Sequence, residues 1–114
     1  MKKSEITEMP DYFDQYINLV EDIDVVEALE KYGIQFLQIE LSKFELLADQ
    51  IYAPAKWTSK DILQHIIDTE RIFCYRAHRF ARHDHTPLLG CDENMDAMNA
   101  KANDRELIDI ITEF

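Results

Sequence analysis

A chain of 114 residues predicts a single domain over 1–114, and its 46% apolar content is enough for a modest core and argues against disorder. The net charge of −11 excludes a whole-surface attraction to nucleic acid. Two Gly and three Pro are too few for an all-β chain with many tight turns.

In chain order, Pro10 suits the first turn of a short helix with Tyr12, Phe13, Tyr16, Ile17 and Val20 on one side. Asp24-Val25-Val26-Glu27 reads as a capping box of the Asx kind. After it, Val25, Leu29, Tyr32, Phe36, Ile39 and Leu47 recur at helical spacing, while Glu27, Lys31, Gln38, Glu45 and Asp49 fall opposite. The spacing predicts a long amphipathic helix over 24–50. Pro54 forbids its continuation through the stretch from Tyr52 to Trp57. Thr58-Ser59-Lys60-Asp61 carries a second capping signal, and no breaker follows until His83. A polar connection from Asp84 to Asn94 contains Pro87 and Gly90, and a short helical piece with Met95 and Met98 comes next. Asn103-Asp104-Arg105-Glu106 then opens a third main helix with Leu107, Ile108, Ile111 and Phe114 on one face. The pattern stops at Thr112-Glu113-Phe114 without a C-cap, so the expectation is an up-down helical bundle whose last helix is missing from this chain. An unfinished bundle would leave a groove open beside Phe36, Phe44, Ile66 and Phe73, and a homodimer is the simplest way to close it.

Charge is unevenly distributed. Four arginines (Arg71, Arg76, Arg79 and Arg82) lie between Arg71 and His83 with no acid among them. Such a stretch either holds an anion or pairs with acids of the preceding helix. The two cysteines, Cys74 and Cys91, form neither a disulfide framework nor a CxxC pair. No apolar run approaches the roughly 20 residues of a bilayer span. The Met-Lys-Lys start leads into polar residues and not into a signal-peptide core. A cytoplasmic location with no membrane partner follows by default.

His65 is the most informative polar residue. Helical geometry puts it on one stripe with Ile62, Thr69, Ile72, Arg76 and Phe80, facing the bundle. An imidazole there needs either a hydrogen-bond partner or a metal. One histidine is no metal site, since a catalytic zinc-type centre needs about three protein ligands. His83-Asp84-His85 stands at a helix end, where capping is the natural role. Cys74 and His78 at i, i+4 are a conceivable nucleophile pair, and Trp57 is most simply an anchor at the end of the bundle. There is no Gly-rich phosphate loop, no H-E-x-x-H and no G-x-S-x-G.

Several strings carry a likeness beyond spacing. They are Lys56-Trp57-Thr58, then His65-Ile66-Ile67-Asp68-Thr69-Glu70-Arg71-Ile72-Phe73, then Tyr75-Arg76-Ala77 and Phe80-Ala81-Arg82. With the loop Asp84-His85-Thr86-Pro87-Leu88-Leu89-Gly90-Cys91-Asp92-Glu93-Asn94, they resemble the DinB-like superfamily of metal-dependent hydrolases and thiol S-transferases. The resemblance implies a four-helix bundle holding a divalent ion of the Zn or Ni type with three histidines. It maps the first ligand onto His65 and expects the other two from an H-x-x-x-H pair on the last helix. This sequence contains no such pair, and Leu89 and Cys91 depart from the loop's usual proline and aromatic residue. The resemblance therefore implies one metal ligand here, a chain not catalytic alone, and a small-molecule substrate for the complete site, with no catalytic residue identified. The alternative is a non-catalytic helical interaction module that uses an exposed apolar groove.

Overall fold

A computed structural model describes residues 1–37, 41–47 and 49–114, with side chains for 1–33, 42–47 and 49–114. All its regular structure is helical, with no strand among the described residues. The chain divides into two compact units, Met1–Glu40 and Leu41–Phe114.

The first unit holds a 3-10 turn at Lys3–Glu5, α1 (Asp14–Ile17) and α2 (Val25–Leu37). Asp24 caps α2 as its side chain predicts. Its Oδ1 accepts the Val26 N–H at 2.9 Å, and Oδ2 accepts the Met1 ammonium at 2.6 Å. The Met1 ammonium first and the Val26 N–H second hold the pKa of that carboxyl below its ordinary value. Lys3 Nζ donates to the Val20 carbonyl at 2.7 Å, and the Ser4 N–H to Asp22 at 2.8 Å. The aromatic run expected on one helix side is mostly a turn. Tyr12 has φ 70° and leans edge-on against Phe13 and Tyr16, and only residues 14–17 are helical. None of residues 1–33 is buried. On the described part of α2, Val25, Val26 and Leu29 are exposed, with Leu29 at 71%.

The second unit begins with α3 (Leu41–Leu47). The predicted helix over 24–50 is thus described as two helical segments. Its continuity through 38–40 and the side chains of Phe36 and Ile39 lie outside the described residues. After the Pro54 turn comes α4 (Ser59–Ala81), then α5 (Glu93–Ala100), a 3-10 turn at Ala102–Asp104 and α6 (Leu107–Glu113). α4 packs against α5, the 3-10 turn and α6.

Thr58 starts α4 with a reciprocal capping box. Its Oγ1 accepts the Asp61 N–H at 3.1 Å, and its own N–H donates to Asp61 Oδ2 at 3.0 Å. The helix ends in a Schellman turn. The His83 N–H reaches the Phe80 carbonyl at 3.0 Å and the Asp84 N–H the Arg79 carbonyl at 3.1 Å. His83 occupies the left-handed position there, at φ 54°.

Two expectations about faces need correction. The stripe of α4 carrying Ile62 and Phe80 is not the core face, since Ile62 is 41% and Phe80 66% exposed. The buried stripe is Lys60, Leu63, Gln64 and Ile67, against Ala102, Leu107 and Ile110. Two polar side chains sit on that stripe because each is satisfied there. Lys60 runs its stem along apolar surface and reaches Asp49 with Nζ at 3.3 Å, and the Gln64 amide is bonded at both ends.

The third main helix starts at Leu107 and not at 104. The Asn103-Asp104-Arg105 string that reads as a helix start serves tertiary contacts instead. Asn103 bonds Asp61 at 3.0 Å and Thr58 at 2.8 Å, and Arg105 bonds Gln64 and Glu113. On α6 the buried residues are Leu107 and Ile110, whereas Ile108 points outward.

Candidate functional site

His65 sits one to two turns into α4, on the side away from α6. It is half-buried, and its ring lies 4.9 Å from the Trp57 indole at 55°. Neither ring nitrogen has a hydrogen-bond partner among the described residues. The capping box at Thr58 fixes how the chain enters α4 and so brings Trp57, just before the cap, onto the His65 face. Sequence reasoning made Trp57 an anchor at the end of the bundle and missed its pairing with His65. The signal was present in their separation, an aromatic one residue before an N-cap and a histidine two turns into the helix.

Two clefts of about 210 Å³ each flank this point and share Tyr52, Trp57 and Ile62 as walls. One extends to Leu47, Gln50 and Ile51 and is mostly apolar; the other extends to Ala55, Lys56 and Asn94. Ser59 also lines the apolar cleft. Its Oγ is covered and has no hydrogen-bond partner among the described residues.

Among the described residues, the partners of the arginine stretch come mainly from the segment that follows. Arg71 pairs with Glu113 of α6 and, at 3.5 Å, with Asp68. Arg76 donates to the Leu89 carbonyl at 3.2 Å, and Arg79 to Asp84 at 2.6 Å and the Thr86 carbonyl at 2.8 Å. Arg79 holds the Asp84 carboxyl far below the usual carboxylate range. Gln64, Asp68, Arg71, Glu113 and Arg105 close into a ring of polar contacts along the α4–α6 seam. Arg71 first and Arg105 second hold Glu113 below its ordinary value.

The remaining candidates are dispersed. His83 serves the helix end, as its position suggested, and His78 and His85 are exposed. Cys74 and Cys91 are exposed free thiols. Among the described residues no three His, Cys, Asp or Glu side chains converge on a metal-sized space. His65 suits the role of one metal ligand, with free nitrogens on a half-open face, but the described residues do not bring a second imidazole to it. No helix of the described residues is long and apolar enough to cross a membrane. Comparison with protein-family models, with curated proteins and with solved structures returns no match.

Proposed function

We propose that this chain is part of a DinB-like four-helix metal-binding bundle in which His65 is one of three histidine ligands to a divalent ion. The observation that carries the reading is the His65 imidazole, half-buried beside Trp57 and without a hydrogen-bond partner among the described residues. A packed core histidine would need such a partner, whereas a ligand needs a free lone pair. When bound, such an ion lowers the pKa of a coordinated water or thiol, chemistry suited to hydrolysis or thiol transfer on a small molecule. Within this chain, His65 would hold the ion while Trp57 orients the imidazole and shields one side of it from water. Two further imidazoles, which these 114 residues do not supply as an H-x-x-x-H pair, would complete the site.

The sole tryptophan makes the test direct. Ni²⁺ at His65 would lie against the Trp57 indole and quench its emission, and Zn²⁺ would compete the quenching away. Identical quenching in His65→Ala rejects His65 as a ligand.

A second reading, a non-catalytic helical interaction module whose exposed apolar groove takes a partner helix, is favoured by a different observation. Ile62, Ile66, Phe73 and Phe80 of α4 are all substantially exposed.

A further inference from the structure

The paired clefts at Trp57 differ in chemistry, and the difference selects a ligand. Both are walled by Tyr52, Trp57 and Ile62, so one molecule can lie across the indole with an end in each. On one side Leu47 and Ile51 offer an apolar slot. On the other stand the Lys56 ammonium and the Asn94 amide. Neither of these side chains has a hydrogen-bond or ion-pair partner among the described residues, and both are exposed. At about 30 Å³ for each water-sized group, a cleft of this volume takes about seven carbon-sized groups. The geometry points to a small amphipathic monocarboxylate as occupant, its apolar tail in the Leu47–Ile51 slot and its carboxylate on Lys56 and Asn94.

The orientation follows from charge. A carboxylate requires a cation or several donors, and Lys56 is the only cation lining either cleft among the described residues. The Ser59 hydroxyl at the apolar end is uncharged and covered, so it does not compete for the head group. The net charge of −11 repels anions in general. Preference for a carboxylate over a neutral analogue must therefore come from the local Lys56 contact. Tyr52 and Trp57 give flat walls that suit an aryl or an alkyl tail equally.

This site goes beyond the metal reading and requires no ion, so the test is run in EDTA, and its failure leaves the His65 proposal untouched. Octanoate is the probe, 1-octanol its neutral counterpart, and the emission of Trp57 the readout, with far-UV dichroism checking that each variant keeps its helices. The expected result is a saturable blue shift with one octanoate per chain and about tenfold weaker binding of octanol. Lys56→Met should bring octanoate down to the affinity of octanol, and Leu47→Arg should remove binding of both. Ile108→Arg, which places the same charge on an exposed residue of α6 away from the clefts, should leave binding unchanged. Equal affinity for octanoate and octanol in the parent chain overturns the proposal. So does a Lys56→Met variant that binds octanoate normally, or uptake that does not saturate.

Discussion

Left-handed backbone at a non-glycine residue carries a conformational cost, and His83 bears it at the end of α4. Because the turn there needs φ near +55°, His83→Gly should raise stability by about 1 kcal/mol, read as a higher midpoint in urea with an unchanged slope. Thr58 works in the opposite sense. Its hydroxyl caps the helix and also contacts Asn103, so Thr58→Ala should cost about 1–2 kcal/mol, again as a lower urea midpoint. Glu113 gives the pH dependence. Arg71 and Arg105 depress its pKa in the folded chain, so its stabilising contribution is fully present above the ordinary carboxylate range. That contribution fades as the pH falls through the depressed value. Parent chain and Glu113→Gln should therefore differ in midpoint at neutral pH and converge in acid; a gap that does not change with pH would contradict the ion pairing.

At the scale of the helix, the question is which side of α4 is core. Ile66 and Ile67 are neighbours in sequence and alike in chemistry, but Ile66 is 40% exposed and Ile67 only 2%. Ile67→Ala should cost about 2–4 kcal/mol, whereas Ile66→Ala should cost under about 1 kcal/mol in the isolated chain. Reversal of that order would contradict the buried stripe of Leu63, Gln64 and Ile67. The error of the periodicity argument has a specific origin. α4 carries Ile62, Leu63, Ile66, Ile67, Ile72 and Phe73, so apolar residues cover more than one stripe, and hydrophobicity alone does not rank them. Lys60 and Gln64 make the true core stripe look polar, and only their contacts to Asp49, Asp68 and Arg105 reveal how both are buried at low cost.

For the chain as a whole, two properties oppose each other. Many large apolar side chains reach water, including Leu46, Phe80 and Met98, which favours self-association. A charge of −11 on each copy resists it. Sedimentation should therefore show association that strengthens with ionic strength, because salt screens the repulsion and leaves apolar burial intact. A monomer at every salt concentration would argue against homodimer formation.

Short-range chemistry was readable from the sequence by itself. Asp24 and Thr58 cap helices where their side chains predict, the stretch from Tyr52 to Trp57 around Pro54 is not helical, His83 stands at a helix end, and all regular structure among the described residues is helical. Each of these depends on residues within four positions of one another, so the order of the chain suffices. Tertiary structure alone decided the buried stripe of α4, the late start of α6 and the pairing of His65 with Trp57. The first two depend on contacts some 40 residues apart, such as Asn103 with Asp61 and Arg105 with Gln64. There a polar residue's choice between capping its own helix and bonding another is settled by which partner the fold brings within reach. The His65–Trp57 pairing spans only eight residues, but it crosses a helix start, and helical spacing has no meaning on the non-helical side of that boundary.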